Sequence, residues 1–463
     1  FEDTSGNDQL NLFGFTGSTL DFNIQTNNMY RDSSAWYHIV IAFDTTQGTS
    51  TNRIKLYVNG ELQTNLKENT YPSQNYATNV NDTSTACQVG YGSYGGQYFD
   101  GYIADSILID GTQYAASDFG EFKNGVWIPK DPSGLTFGTN GFHINYASSS
   151  DLGNDISGNN NDLTVSGLAV HDSMVDTPTF NSDTKGGNMC TWNPLDKKNV
   201  AIPTEGNLSI DYDGSNYNQI RGTHSIGNSG KWYMELYKSD AYASYPAWGI
   251  CDQNQKLTSS YGQPGYVGKA MVGISWDFNS EKVYKSLTYS ESTAGTEIGT
   301  TGTVYTTTAQ VVGMAIDLDN NKIFTHINGT WDSGCGNPSS GGSGFDASSL
   351  SGVDNLVPVI FPASYNSRNY VFVGGFGADS TFGGLVSAGS GTDTNGYGNF
   401  TYAVPTGYKA ICQGNLSVAE GVDPEQTEDN IPKELFFMSE YAGNLTGRTI
   451  TTENQPDWMW IRH

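Results

Sequence analysis

Charged residues are scarce in this sequence. They make up 15% of its 463 residues, and Lys and Arg together number only 22. Asp and Glu number 48, so the net charge at pH 7 is −26. A chain this acidic repels phosphate backbones, so we do not expect it to bind nucleic acid. An anionic polysaccharide would also be repelled, unless a local basic patch or bridging divalent ions made the contact.

Cysteines and long apolar runs are also lacking. The five cysteines form no Cys-x-x-Cys pair, and they are Cys87, Cys190, Cys251, Cys335 and Cys412. A zinc site or disulfide scaffold is therefore not expected, and assembly in a reducing cytoplasm fits better than secretion. No run of about 18 apolar residues occurs, and no basic segment followed by an apolar one opens the sequence. We expect neither membrane insertion nor a signal peptide.

Glycine and aromatic residues are abundant, with 56 Gly and 13% Phe, Trp and Tyr. Runs with period 2 predict strands at Trp36 to Phe43, Tyr102 to Gly111, Lys231 to Tyr237, Ala270 to Phe278, Val311 to Asp319 and Asn369 to Phe376. Only Ala115 to Gly125 could supply one short turn of helix. The pattern predicts an all-β fold of tandem antiparallel β-sandwiches.

Breaks in composition predict the domain boundaries, and the length corresponds to about three domains. We expect a sandwich at residues 1–170 with its N-terminal part missing, a linker at 171–188 and a second sandwich at 189–412. An acidic linker at 413–433 with Pro424 and Pro432 then leads to the start of a further β domain at 434–463. The chain is expected to be an excerpt of a longer polypeptide at both ends.

Two distant stretches share one pattern. "NRIKLYVNGEL" spans Asn52 to Leu62, and "NKIFTHINGTW" spans Asn321 to Trp331. Asn-Gly is the dipeptide that most readily adopts the two positive φ angles of a type I′ turn, so each copy predicts a β-hairpin. Shared turn chemistry explains the match better than duplication does, because the surrounding segments do not align.

The first hairpin belongs to a longer recognisable block. Together with "SSAWYHIVIAFDTT" and "YFDGYIADSILIDG", it resembles the laminin G-like, concanavalin A-type jelly roll. The stretch "DLGNDISGNNNDLTVSG", Asp151 to Gly167, resembles a motif that usually opens such domains. It follows the other strands here, so either the domain is permuted or this hairpin closes the sandwich from the far end.

The second hairpin lies in a block that resembles a SPRY domain. The markers are "GKWYMELY", "AWGICD", "VGISWDF" and "VVGMAIDLDNNKIFTHINGTWDSG". Further segments, including "DFGEFKNGVWIPK", "CTWNPLDKKN" and "QPDWMWIR", resemble large structural proteins of tailed bacteriophages. The resemblance implies a tail fibre, spike or decoration protein. Both folds occur in proteins with many different functions, so the resemblance says less about chemistry than about architecture.

A catalytic constellation is not visible. Laminarinase-like enzymes on a concanavalin A-type fold carry a Glu-x-Asp-x-x-Glu strand, which does not occur here, and no Gly-x-Ser-x-Gly elbow is present. His38, His326 and Trp248 are expected to be packing residues. Asp317 and Asp319 are expected to stabilise the turn before the second hairpin, where aspartate side chains accept hydrogen bonds from backbone amides. We therefore expect that the chain is not an enzyme.

Four side chains that could supply oxygen ligands for calcium lie close together in the sequence, and they are Asp155, Asn159, Asn161 and Asp162. An Asx-rich turn that satisfies its own amides explains the same residues, and this is the favoured interpretation. No cofactor is expected.

Tyrosine-rich loops are the candidate binding residues, because exposed rings can stack on pyranoses or pack on a partner. They are Tyr91, Tyr94, Tyr242, Tyr245, Tyr261 and Tyr266, and Tyr98 lies in the same stretch as Tyr91 and Tyr94. Contact with neighbouring subunits is an equally good interpretation of these tyrosines.

The sequence thus predicts a non-enzymatic virion appendage protein that contributes to host-surface or glycan recognition. Its expected partners are other virion proteins, a host cell-surface glycan or protein, and further copies of itself. Such a chain would be assembled in the host cytoplasm and would act outside the cell as part of the virion. The alternatives are a phage polysaccharide-degrading enzyme and a purely architectural virion protein.

Overall fold

The computed structural model describes residues 8–416 apart from short gaps. The residues left out of this range are 79, 81–86, 93–95, 100, 124, 179–185, 199, 201, 213–217, 240–245, 256, 258–271, 287–294, 303–307, 351 and 363–369. Strands make up almost all of the regular structure. In the part of the chain that is described, no helix is both long and apolar enough to cross a membrane.

The first part of the chain forms antiparallel strands. They are β1 (Gln9–Thr16), β2 (Thr19–Met29), β3 (Ile39–Phe43), β4 (Ile54–Val58), β5 (Glu61–Leu62), β6 (Leu66–Thr70), β7 (Tyr91–Gly92), β8 (Gln97–Tyr98), β9 (Ser106–Leu108), β10 (Gly120–Lys123), β11 (Val126–Pro129) and β12 (Phe142–Ile144). The one-turn helix α1 spans Ala116–Phe119. Strands β1-β2-β6 form one three-stranded sheet and β3-β4-β5 another, while β7 pairs with β8, β9 with β12, and β10 with β11.

These two three-stranded sheets share a small core, and we call them together the first sandwich. Phe22 and Ile24 from β2 meet Ile54 and Leu56 from β4 in one buried cluster. Along β4 every second residue is buried and the residues between them are half-buried. The period of 2 therefore places one face of the strand in the core, as the sequence pattern predicts. Each fully buried Ile or Leu contributes roughly 1.5–3 kcal/mol to this core.

The second part contains a further set of strands. They are β13 (Trp192–Lys198), β14 (Ser209–Tyr212), β15 (Gln219–Gly222), β16 (Lys231–Lys238), β17 (Ala247–Asp252), β18 (Gly273–Asp277), β19 (Lys282–Ser286), β20 (Thr296–Thr300), β21 (Gln310–Asp317), β22 (Lys322–Ile327), β23 (Thr330–Trp331), β24 (Phe345–Asp346), β25 (Leu356–Phe361), β26 (Tyr370–Gly375), β27 (Gly391–Thr392) and β28 (Asn399–Phe400). Single turns of 3₁₀ helix span Ser50–Asn52, Pro132–Gly134, Val170–Asp172, Pro338–Ser340, Ser348–Leu350 and Gln413–Asn415.

Two seven-stranded sheets make up the second sandwich. The front sheet has the order β13-β15-β25-β17-β18-β19-β20, and the back sheet has the order β14-β26-β16-β21-β22-β23 with β24 paired to β22. Their side chains form one large buried cluster that includes Met234 and Leu236 of the back sheet and Trp248, Ile250 and Trp276 of the front sheet. Since Trp248 is fully buried, its prediction as a core residue is confirmed.

A third layer covers the outer face of the back sheet. Tyr233 meets Phe400 edge to face, with ring centroids 4.9 Å apart, and Tyr237 lies 6.0 Å from Phe382. Strand β16 is consequently buried along nearly its whole length. A strand covered on both faces should be apolar throughout. Glu235 and Lys238 are exceptions, because both lie in β16 and are only 1% and 5% exposed.

The all-β class with antiparallel sandwiches is confirmed, and so is the short helical turn, which is α1. The strand expected from Tyr102 to Gly111 is wrong in extent, because only Ser106–Leu108 forms a strand. Tyr102 instead stacks on Trp36, with ring centroids 6.4 Å apart. In the expected linker at 171–188, Met174 and Val175 pack against the core of the second sandwich. From residue 417 onward, the expected acidic linker and further domain lie outside the described residues.

Candidate recognition surface

Two aromatic side chains are paired on the short strands β7 and β8, which we call the tyrosine hairpin. Tyr91 lies directly opposite Tyr98. Their ring centroids are 4.8 Å apart and their planes are tilted by 45°. The Phe99 N–H donates a hydrogen bond to the Gly90 carbonyl at 2.8 Å, which extends the pairing by one residue. The hairpin therefore holds two phenol rings side by side.

The rings of the tyrosine hairpin face solvent to different extents. Tyr98 is 81% exposed, Phe99 is 41% exposed, and Tyr91 is half-buried. A cross-strand aromatic pair stabilises a hairpin by roughly 0.2–1 kcal/mol, and that role does not require such exposure. An exposed phenol offers a flat apolar face and a hydroxyl, which suits stacking on a sugar ring or on a partner protein. Tyr91 is a predicted binding residue that is described, and Tyr98 belongs to the same predicted tyrosine-rich stretch.

The other predicted tyrosines lie outside the described residues, and they are Tyr94, Tyr242, Tyr245, Tyr261 and Tyr266.

Arg221 holds the segment that follows β17. Its Nε and Nη2 donate to the Asp196 carboxylate at 2.8 and 3.0 Å. Its Nη1 donates to the carbonyls of Asp252, Gln253 and Gln255 at 3.1, 2.8 and 2.9 Å. Arg221 is only 4% exposed, so these acceptors replace its water shell. Nothing in the sequence indicated this anchor, because the two strands involved and the segment are far apart along the chain.

The acidic loop around Asp155 satisfies its own backbone. The two oxygens of Asp155 accept hydrogen bonds from the N–H groups of His143, Ser157 and Asn161, each at 2.9 Å, and from the Ser157 hydroxyl at 2.9 Å. Burial raises the pKa of Asp155, but these donors outweigh it and hold the pKa below its ordinary value. This is the geometry of an Asx-rich turn. Among the described residues, no group of three or more His, Cys, Asp or Glu is arranged to hold a metal ion.

Both predicted packing histidines are engaged by neighbouring groups. Nδ1 of His38 accepts a hydrogen bond from Nε1 of Trp127 at 3.0 Å. Burial lowers the pKa of His38, and Asp105 opposes this weakly. His326 is 1% exposed, and its Nδ1 accepts from the Gly329 N–H at 3.2 Å. These contacts agree with a packing role for both side chains.

A buried chain of hydrogen bonds links His326 to Glu235. Because Nδ1 of His326 is an acceptor, Nε2 carries the proton and donates to the Tyr233 oxygen at 2.6 Å. The Tyr233 hydroxyl donates to Glu235 at 2.8 Å. The Glu235 carboxylate also accepts from the N–H groups of Thr401 and Tyr402, each at 2.9 Å. All of these donors belong to the chain itself, so the carboxylate is fully paired.

Burial controls the ionisation of Glu235, Tyr233 and His326. It raises the pKa of Glu235 to about 7, with the hydrogen bonds acting in the opposite direction. It lowers the pKa of His326 to about 3, and it raises that of Tyr233 well above its ordinary value. Glu235 and His326 are each 1% exposed, so the cluster is enclosed and cannot reach a ligand. We assign it a structural role beneath the third layer.

Comparison with known proteins gives one family match and several similar folds. Residues 2–112 match the model Laminin_G_3, described as the concanavalin A-like lectin/glucanases superfamily. No curated protein matches the sequence. Solved structures similar to the chain include the SPRY domain of human HERC1, with 11% sequence identity, a TM-score of 0.28, and 39% of this chain and 96% of that one covered. A second human SPRY domain is 16% identical with a TM-score of 0.25, and 38% of this chain and 96% of that one are covered.

Proposed function

We propose that this chain is a non-enzymatic virion appendage protein of a tailed bacteriophage, and that the tyrosine hairpin contributes to recognition of a host cell-surface glycan. The observation that carries the recognition step is the exposure of Tyr98, at 81%, beside the ring of Tyr91. Both residues lie within the segment that matches the lectin and glucanase superfamily. The virion role is supported by the order of the sequence motifs. Other virion proteins and further copies of the chain are its proposed partners.

The charge of the chain narrows the class of glycan. With a net charge of −26, the protein repels an anionic capsule unless cations intervene. Stacking of Tyr98 on a pyranose face requires no charge on the sugar. A neutral surface polysaccharide is therefore the proposed ligand class.

Binding of the purified chain to an array of neutral and anionic bacterial polysaccharides tests the recognition step. Tyr98→Ala should weaken binding to the neutral glycan at least tenfold, because it removes the exposed ring, whereas Tyr98→Phe should retain most of it. Leu195→Ala is the matched control, since Leu195 is a large apolar residue of the second sandwich that is 65% exposed. Equal binding by Tyr98→Ala and wild type would remove the hairpin from the proposal.

Two further measurements test the rest of the proposal. Mass spectrometry of purified phage particles should detect the chain, and its absence from every particle fraction would refute the virion role. Incubation with the bound glycan should release no reducing ends. Release that a single Asp or Glu substitution abolishes would establish an enzyme in place of a binding protein.

A further inference from the structure

The turn at residues 205–207 of the second sandwich has an unusual backbone. Thr204 and Ser209 form a β-bridge, and the residues between them close it. Glu205, Gly206 and Asn207 have φ angles of 51°, 59° and 65°, so three successive residues are in the left-handed region. Glycine and asparagine adopt this region readily, but glutamate does not. Such a conformation persists only where the surrounding contacts fix it, and it is a frequent sign of a functional contact.

The ring of Tyr102, from the segment that follows the tyrosine hairpin, lies against this turn. Its hydroxyl donates to the Glu205 carbonyl at 3.1 Å. A Cβ atom at Gly206 would lie 1.7 Å from Cζ of Tyr102, so only glycine permits this approach. The indole of Trp36 stacks on the same phenol ring, with centroids 6.4 Å apart and planes at 29°. Tyr102 therefore contacts both a tryptophan of the first part of the chain and the bare backbone of Gly206.

Asn207 makes a second contact to the same part of the chain. Its side-chain Nδ2 donates to the Ser33 carbonyl at 2.7 Å, and Asn207 is only 8% exposed. Each residue of the turn thus has its own part in the contact. Glu205 supplies a carbonyl, Gly206 supplies open space for a ring, and Asn207 supplies an amide donor.

We propose that the turn at 205–207 is a docking surface for the first part of the chain, with Tyr102 and the Ser33 carbonyl as the groups it receives. The left-handed backbone aims one carbonyl and one side-chain amide at these groups while keeping Gly206 free of a side chain. Docking fixes the direction in which the tyrosine hairpin points relative to the second sandwich, because Tyr98 precedes Tyr102 by only four residues. This inference does not depend on the proposed function, since it is tested without any ligand.

Hydrogen exchange on the full chain tests the proposal. Gly206→Ala places a methyl group inside the Tyr102 ring, so amides in peptides covering residues 30–37 and 102–108 should exchange at least tenfold faster. Gly227→Ala is the matched control, because Gly227 has a φ of 66° but no atom within 4 Å of its Cβ position. Amides of β21 should be unchanged in both variants. Equal exchange of the two peptides in Gly206→Ala and Gly227→Ala would overturn the proposal.

Two more variants keep the test decisive if Gly206→Ala disrupts the local fold. Asn207→Asp accepts the same φ but loses the donor to Ser33, so it should accelerate exchange of residues 30–37 at least threefold while the second sandwich keeps its protection. In Tyr102→Ala the docked ring is missing, so adding Gly206→Ala should change exchange of residues 30–37 less than twofold. Independent, multiplicative effects of these two substitutions would contradict docking of the ring on Gly206.

Discussion

Asn59 and Asn328 make the same pair of hydrogen bonds in two different sandwiches. The side-chain oxygen of Asn59 accepts from the His38 N–H at 2.8 Å, and its own N–H donates to the His38 carbonyl at 2.8 Å. Asn328 is bound to Val311 in the same way, at 2.9 and 2.8 Å. Both asparagines have a φ of 49°, as a type I′ turn requires. Each asparagine therefore turns the chain and also lengthens the pairing with the preceding strand.

Substitution at Asn328 separates these two contributions. Asn328→Gly keeps the φ angle but leaves the buried Val311 N–H without its acceptor, which should lower the free energy of unfolding by about 1–2 kcal/mol. Asn328→Asp keeps an acceptor oxygen and should cost less than Asn328→Gly. Urea unfolding measures both. If the Gly variant were as stable as wild type, the side-chain hydrogen bond would have no energetic role.

The sequence predicted what depends on neighbours along the chain. The Asn-Gly turns, the period of β4 and the Asx turn at Asp155 all follow from residues a few positions apart, and the structure places them as expected. Tyr91 and Tyr98 lie in one tyrosine-rich stretch of the sequence, but their pairing across β7 and β8 and the high exposure of Tyr98 were not predicted.

What the sequence did not predict depends on sheet order. Glu235 is buried because a third layer covers the back sheet, and that layer comes from residues more than 140 positions downstream. Arg221 meets its acceptors only after two strands and a loop have come together.

The Asp155 loop should not depend on a bound cation. All of its carboxylate hydrogen-bonding capacity is used by the chain itself, so adding calcium or EDTA should leave the unfolding midpoint unchanged. Asp155→Asn removes acceptor capacity and should lower the free energy of unfolding by about 1–3 kcal/mol. Differential scanning calorimetry checks both expectations. A midpoint that rises with millimolar calcium in the wild type, and not in Asp155→Asn, would show that the loop binds the ion.

Arg221 should contribute strongly to the stability of the second sandwich. Arg221→Met leaves Asp196 and three carbonyls without their donor and should cost roughly 3 kcal/mol. Arg221→Lys should recover only part of this, because an ammonium cannot reproduce the bidentate contact with Asp196. Arg31→Met is the control, since Arg31 forms an exposed pair with Asp8 at 2.9 Å and should change stability little. Similar losses in the Arg221 and Arg31 variants would contradict the anchoring role.

Glu235 and His326 should oppose each other in the pH dependence of stability. The pKa of Glu235 is raised to about 7 in the folded chain, so its contribution is fully present below its ordinary value of 4.5 and is lost as pH rises through 7. The pKa of His326 is lowered to about 3, so its contribution is present above its ordinary value of 6.5 and is lost as pH falls. Between pH 4.5 and 6.5, Glu235 is protonated in the folded chain but not in the unfolded chain. His326 is protonated in the unfolded chain but not in the folded chain. The two effects therefore cancel in that window.

Replacing either Glu235 or His326 should reveal the effect of the other residue on the pH dependence of stability. Glu235→Gln leaves His326 unopposed, so stability relative to wild type should fall as pH drops from 6.5 to 4.5, by up to about 1.4 kcal/mol per pH unit. His326→Gln leaves Glu235 unopposed, so relative stability should rise over the same window. Urea unfolding at several pH values measures these slopes, and each comparison with wild type removes the contribution of all other groups. Parallel pH profiles for the three proteins would show that neither group titrates differently in the folded and unfolded chains.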